Sequence, residues 1–157
     1  SCIDSRSTME QIFDQGIGDI FNNRVAGNII NKDILGSLEF ACAVAGSKLI
    51  AVIGHSQCGA IKGACDNVKL GNLTHLLEKI QLSVQEEKTT LENRDSTNSE
   101  FVEKVSLLNV KKSVQQIMEQ SSILKELIES GKVGIVGATH NISTGHIEFH
   151  KDTFNIN

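Results

Sequence analysis

The sequence predicts an α/β fold with a mostly parallel central sheet of four to five strands flanked by helices. Two observations support this class: the chain contains short apolar runs of strand length, and these runs alternate with longer segments whose apolar residues recur at helical spacing. The 157 residues are 39% hydrophobic and 22% charged, which is ordinary for a globular chain. This length and composition predict a single domain over residues 1–157.

The predicted strands are short segments bounded by turn-forming residues. They comprise a truncated strand that leads into Cys2, followed by residues 19–24, 49–53, 133–136 and 147–149. The run 49–53 is continuously apolar and predicts a buried strand, and Gly54 is expected to end it, so that His55 falls on the turn that follows. The last strand is expected at a sheet edge or against a second subunit.

The predicted helices carry apolar residues at intervals of three and four. They cover residues 34–45, 58–65, 73–87, 100–119 and 123–129. In the third of these helices, Leu73, Leu76 and Leu77 begin an amphipathic stripe. Asn72 or Thr74 is the expected N-cap of that helix.

Composition and charge argue against several classes of function. The formal net charge of −4, without a basic stripe, disfavours nucleic acid as a partner. No apolar stretch approaches the ~18 residues of a membrane span, and the first residues show no secretory signal pattern. Four cysteines in this length do not suggest a disulfide framework, so we expect a reducing, cytoplasmic location, with Cys42 and Cys65 as small apolar residues.

Two short motifs carry the metal-binding chemistry. Cys2 opens the segment Cys-Ile-Asp-Ser-Arg, and His55-Ser-Gln-Cys58 follows some fifty residues later. Together they offer two thiolates and one imidazole to a single Zn²⁺ ion. Structural zinc sites take all four ligands from protein, whereas catalytic sites take three and leave the fourth position to water. Three candidate ligands therefore favour a catalytic site.

The spacing within each motif suggests further roles. In an extended strand Cys2, Asp4 and Arg6 project from one face, because alternate side chains share a face. Asp4 would then accept a hydrogen bond from a zinc-bound water while Arg6 keeps Asp4 ionised. Cys58 is expected in the first turn of a helix, where the helix dipole lowers a cysteine pKa.

These motifs and their flanks resemble the β-class carbonic anhydrases. The resemblance rests on Cys2-x-Asp4-x-Arg6 and on His55-x-x-Cys58-Gly59. It continues, in family order, through residues 21–28, 37–41, 53–61 and 137–145. It spans nearly the whole chain, although the helical and strand segments that precede the first cysteine in family members are expected to be missing here.

The resemblance implies a β-carbonic-anhydrase-like fold, Zn²⁺ held by Cys2, His55 and Cys58, and an Asp4–Arg6 pair that assists catalysis. The implied reaction is the reversible hydration of CO₂ to bicarbonate and a proton by zinc-bound hydroxide. The implied assembly is a homodimer or homotetramer with active sites near the subunit interfaces. Candidate pocket residues are Phe21, Ala26, Gly27, Phe40 and Gly59, although Phe21 and Phe40 fit a place in the core equally well.

Two alternatives remain open from the sequence. The same zinc chemistry could act on a related linear substrate, carbonyl sulfide or carbon disulfide, and the pocket lining rather than the ligands would decide between them. The domain could instead be a non-catalytic zinc module whose fourth position is closed permanently by protein, most plausibly by Asp4.

Overall fold

The computed structural model describes residues 1–155, in which one three-stranded sheet packs against helices. The strands are β1 (Leu49–His55), β2 (Gly134–His140) and β3 (Ile147–Asn155). The α-helices are α1 (Met9–Ile12), α2 (Lys32–Glu39), α3 (Gly59–Cys65), α4 (Gly71–Glu86), α5 (Ser99–Gln120) and α6 (Ser122–Glu129). The predicted α/β class is confirmed.

The sheet has the order β1-β2-β3 and is mixed. Strands β1 and β2 run parallel, with a register that pairs Leu49 with Gly134 and His55 with His140. Strands β2 and β3 are antiparallel, with an irregularity between Ile135 and Gly137. Because β1 and β2 end side by side, the main chain places the two histidines next to each other at one edge of the sheet.

The predicted count of four to five mostly parallel strands is wrong, because neither Cys2 nor residues 19–24 join the sheet. The Ser1 ammonium donates to the Asn23 carbonyl at 2.8 Å, and the Val25 N–H donates to the Ser1 carbonyl at 3.0 Å. These two bonds follow the parallel-strand pattern but extend no further. An apolar groove of about 510 Å³ lies between these segments and β1, so their backbones do not pair with that strand.

The predicted helices are found with small shifts of their ends. Helix α2 continues into a π-helical turn at Phe40–Val44. The helix and this turn together cover nearly all of the helix predicted at residues 34–45. Helix α4 begins at Gly71, so the N-cap predicted at Asn72 or Thr74 is wrong, although the Thr74 hydroxyl accepts a hydrogen bond from the Leu70 N–H. Within residues 1–155, the helices are all too short or too polar to cross a membrane.

Helix α5 packs against strands β1 and β2 of the sheet. A Cβ atom on Gly54 would lie 2.5 Å from Val110 Cγ2, and one on Gly137 would lie 2.8 Å from Val110 Cγ1. Glycine at both positions therefore lets Val110 pack directly against β1 and β2. Gly54 lies inside β1 and does not end it, which corrects the prediction that His55 lies on a turn. Cys42 is buried in the same core, as predicted.

Candidate metal centre

Three side chains meet at the edge where β1 ends. Cys2, His55 and Cys58 are all buried, and their possible ligand atoms lie within 4.8 Å of one another. The two sulfurs, Cys2 Sγ and Cys58 Sγ, are 3.9 Å apart. Tetrahedral zinc with Zn–S bonds of about 2.3 Å would place its two sulfurs about 3.8 Å apart. The observed spacing therefore fits a zinc ion between them.

The histidine is also oriented as a metal ligand would be. His55 Nδ1 donates to the Ser56 carbonyl at 2.9 Å, which leaves Nε2 with a free lone pair. Nε2 is buried and, within residues 1–155, has no hydrogen-bond partner. A buried polar atom without a partner costs about 1–3 kcal/mol, and coordination would remove that cost. The donor set therefore fits zinc in chemistry as well as in spacing.

The fold holds His55 and Cys58 through a short connection. His55 is the last residue of β1, and the Ser106 hydroxyl of α5 donates to its carbonyl at 3.4 Å. Gln57 then takes a positive φ of 55°, which turns the chain into α3. Cys58 occupies the N-cap of α3 rather than its first turn. The two ligands therefore flank one tight turn on a rigid strand and helix.

Cys2 is held by a different part of the chain. The Arg24 guanidinium donates to the carbonyls of Cys2 at 2.8 Å and Asp4 at 2.6 Å. The Gly27 N–H donates to Cys2 Sγ at 3.3 Å. Gly27 has a φ of +67°, and a Cβ there would lie 2.6 Å from Ile80 Cδ1. Arg24 thus fixes the backbone of the first motif, a role that the sequence analysis missed.

The two thiols influence each other's protonation. The hydrogen bond from Cys58 is the largest factor that lowers the pKa of Cys2, to about 3. The same contact with the Cys2 sulfur raises the pKa of Cys58, and burial raises it further. The prediction of a lowered Cys58 pKa is therefore wrong, because the N–H groups at the start of α3 are outweighed by the neighbouring sulfur. For His55, burial is the largest cause and acts to lower the pKa, but the contact with Cys2, the Ser56 carbonyl and the charge of Asp4 together outweigh it, so the net shift is upward.

Asp4 and Arg6 form an ion pair beside these three side chains. Arg6 Nε donates to Asp4 Oδ1 at 2.9 Å, and an Arg6 terminal nitrogen donates to Oδ2 at 2.7 Å. The pair lies on a turn, closed by the Ser7 N–H donating to the Asp4 carbonyl at 3.0 Å, and not on the predicted strand. The Arg6 guanidinium holds the pKa of the Asp4 carboxyl well below its usual range. Asp4 Oδ2 lies 3.9 Å from His55 Nε2, close to the centre but engaged by Arg6.

The candidate pocket residues separate into two groups. Gly27 is buried against Cys2, Ala26 precedes it, and Gly59 directly follows Cys58. Phe21 and Phe40 instead form an edge-to-face pair, with ring centroids 6.2 Å apart, and each is more than half exposed. A place in the core is therefore excluded for the two phenylalanines, and the surface cleft beside them contains none of the three candidate ligands.

The sequence analysis also missed a buried contact between Ser7 and His140. The Ser7 hydroxyl lies 3.1 Å from His140 Nδ1. Burial lowers the pKa of His140, and the nearby His55 lowers it further. The two residues are 133 positions apart in the chain. Only the pairing of β1 with β2 reveals that His140 lies next to the metal centre.

Known proteins similar in sequence support the resemblance described above. The carbonic anhydrase family model matches residues 1–147. Carbonic anhydrase 2 of Mycobacterium tuberculosis is 36% identical over 149 residues, which cover 92% of this chain and 69% of that protein. The carbonic anhydrase of Mycolicibacterium smegmatis is 33% identical over 152 residues, which cover 94% of this chain and 70% of that protein.

Solved structures with the same fold agree. A tetrameric β-carbonic anhydrase from Sordaria macrospora superposes with a TM-score of 0.84 at 25% identity, covering 96% of this chain and 77% of that chain. The β-carbonic anhydrase CafA of Aspergillus fumigatus, at 24% identity, has a TM-score of 0.82 over 96% of this chain and 72% of that chain. The chain therefore belongs to the β-class carbonic anhydrase family, and the prediction of a carbonate dehydratase is confirmed at the level of the family.

Proposed function

We propose that this protein is a zinc-dependent carbonic anhydrase that reversibly hydrates CO₂ to bicarbonate and a proton. The observation that carries the proposal is the buried Nε2 of His55, which has no hydrogen-bond partner in the described part of the chain and lies beside two sulfurs 3.9 Å apart. Three protein ligands, Cys2, His55 and Cys58, leave the fourth side of a tetrahedral ion for the reaction. Family membership supports the reaction type, and the set of two sulfurs and one imidazole nitrogen supports zinc as the metal.

A bound Zn²⁺ would lower the pKa of water from about 15.7 towards 7 and provide a nucleophile near neutral pH. Asp4 lies beside the candidate ligands and is kept ionised by Arg6. Its carboxylate would accept a hydrogen bond from the reacting water and turn a lone pair of that water towards CO₂. Arg6 would hold the carboxylate in place through its two hydrogen bonds.

The fixed position of Asp4 also bears on the non-catalytic alternative. A structural zinc module would need a fourth protein ligand, and the Asp4 carboxylate, 3.9 Å from His55 Nε2, is a candidate. Both Asp4 oxygens accept hydrogen bonds from Arg6, and the carboxylate does not fall within the compact group of three candidate ligands. This arrangement favours an active site over a closed structural one.

The proposal is tested by elemental analysis and stopped-flow CO₂ hydration of the purified protein. We expect about one zinc per chain, with activity that climbs between pH 6 and pH 9. The climb cannot come from Asp4, because Arg6 keeps its pKa far below this range. A flat profile, or protein without stoichiometric zinc, would contradict the proposal. Sulfide release from carbonyl sulfide or carbon disulfide, measured on the same sample, tests the alternative substrates.

We also propose that the protein works as a homodimer or homotetramer in the cytoplasm. The exposed Phe21–Phe40 pair is a contiguous aromatic surface that a second subunit would cover. The Sordaria macrospora relative is described as tetrameric, which supports the same expectation. Light scattering after size-exclusion chromatography measures the assembly, and a monomeric mass at all concentrations would contradict it.

A further inference from the structure

The contact between Ser7 and His140 joins two segments that the metal centre uses separately. Ser7 closes the turn that carries Asp4 and Arg6, whereas His140 ends β2. Both side chains are buried, with 1% of Ser7 and 4% of His140 exposed. Their contact of 3.1 Å therefore replaces hydrogen bonds that each would otherwise make to water.

The His140 side of this contact is fixed to the metal centre by the sheet. His140 pairs with His55 in the parallel register, and its carbonyl accepts a hydrogen bond from the Ser56 N–H at 2.9 Å. A displacement of the His140 backbone would therefore also displace His55. The sheet therefore fixes the position of His140 relative to the candidate ligand His55.

The Ser7 side of the contact is fixed to Asp4. The Ser7 N–H donates to the Asp4 carbonyl at 3.0 Å, and the Arg6 N–H donates to Asp4 Oδ1 at 3.0 Å. Arg24 holds the same turn from its amino-terminal side, through the carbonyls of Cys2 and Asp4. Arg24 and Ser7 thus hold the two ends of the turn, and Ser7 makes the side-chain contact to β2.

We propose that Ser7 and His140 are a positioning pair that sets where the Asp4 carboxylate lies relative to His55. The hydrogen bond of the pair involves none of the three candidate ligand side chains, so the pair would act through Asp4. This inference rests on the proposed function, because placing Asp4 matters only if Asp4 orients the reacting water. Without the pair, the local hydrogen bonds of the turn would open more often, and the turn would lose its fixed distance to the sheet.

The first test compares Ser7→Ala with Ser7→Thr in the full chain loaded with zinc. Ser7→Ala removes the hydroxyl, and we expect kcat to fall about tenfold with KM nearly unchanged, because misplacing a catalytic group by about 1 Å can cost up to ~100-fold. Ser7→Thr keeps a hydroxyl and should recover most of the rate. Ser121→Ala is the control, since it removes a buried serine hydroxyl that caps α6; it should lower stability without a change in kcat.

The second test uses two amides at position 140. Asparagine places a polar atom near the Nδ1 position of histidine, whereas glutamine places one near Nε2, and Ser7 contacts Nδ1. We expect His140→Asn to keep a kcat within about threefold of wild type and His140→Gln to lose about tenfold. This comparison also decides the matter if Ser7→Ala does not fold. Equal rates in the two amide variants, an unchanged kcat in Ser7→Ala, or loss of zinc in place of kcat would overturn the inference.

Amide hydrogen exchange separates this inference from the proposed function. The N–H groups of Arg6 and Ser7 are bonded within the turn, and we expect them to exchange about tenfold faster in Ser7→Ala while amides of β1 keep their wild-type protection. Unchanged exchange would overturn the pair even in an inactive protein. If wild-type protein fails to hydrate CO₂ while the exchange changes as expected, the proposed function fails and the structural coupling stands.

Discussion

Replacing Asp4 with asparagine tests the role of the carboxylate with little change in shape. The carboxylate accepts three hydrogen bonds from Arg6, two from the guanidinium and one from the backbone N–H. An asparagine amide keeps one oxygen acceptor but turns an NH₂ group towards either Arg6 or the reacting water. The variant therefore loses the negative charge and one acceptor while it keeps the volume of the side chain.

The expected magnitude follows from the exposure of the pair. Proton-handling groups contribute about 10²- to 10⁴-fold to catalysis. The Asp4 side chain is 14% exposed and Arg6 is 53% exposed, so water can replace part of what is lost. We therefore expect the lower limit, a fall in kcat of about 100-fold, which corresponds to about 2.7 kcal/mol. Zinc content should remain at the wild-type level, because the three candidate ligands are intact.

Stopped-flow CO₂ hydration and elemental analysis on the same preparation measure both quantities. Asp152→Asn is the matched control, because Asp152 is also a carboxylate paired with a cation, Lys111 at 2.5 Å, and lies on β3. It should leave kcat and zinc content unchanged. Full turnover in Asp4→Asn would remove Asp4 from the mechanism, and loss of zinc would identify Asp4 as a ligand and favour the structural module.

Four further predictions concern the metal and the stability of the chain. Removal of zinc with a chelator should abolish hydration and lower Tm, with both restored by zinc but not by magnesium, which prefers oxygen ligands. Gly27→Ala should destabilise by about 2 kcal/mol or more in urea unfolding, given its positive φ and the nearby Ile80, whereas Gly36→Ala in open space on α2 should be neutral or stabilising. Arg94→Ala should cost about 2–3 kcal/mol at pH 7, because it leaves the buried Glu87 carboxylate without its 2.8 Å partner; a loss below 0.5 kcal/mol would contradict this. Burial acts to raise the Glu87 pKa, but hydrogen bonds from Thr89, Thr90 and Arg94 lower it to about 2. The stability that the Glu87 carboxylate contributes is therefore complete above its unfolded pKa and is lost as the pH falls towards 2. Glu87→Gln should flatten this pH dependence of the unfolding free energy, measured by urea titrations.

The helices could be predicted from sequence because their signal is local. Helix α5 shows its apolar spacing and its Asn98 cap within one continuous stretch, so its predicted and observed ends differ by one residue. Residues 19–24 were expected as a strand and are not one, because strand formation depends on a partner at pairing distance. That partner is separated from them in space by the apolar groove beside β1, and no local pattern reports such a separation.

The candidate site shows the same division between local and distant information. The motif residues Cys2, His55 and Cys58 were predicted as a group, and the structure brings them together. The predicted direction of the Cys58 pKa shift was wrong because the shift depends on the distance to Cys2, 56 positions away in the sequence. The contact between Ser7 and His140 was missed for the same reason, since neither residue lies in a recognisable metal motif.

The competition for Asp4 distinguishes a catalytic centre from a structural one. To become a fourth ligand, Asp4 would have to give up its charge-assisted hydrogen bonds from Arg6. The guanidinium is half exposed, so water would recover much of that loss and the free-energy cost of breaking the pair is modest. The turn that carries Asp4 is also held by Arg24, which fixes its backbone and leaves only side-chain rotation for closure. The hydrogen bonds from Arg6 and the backbone contacts from Arg24 therefore both favour the open centre.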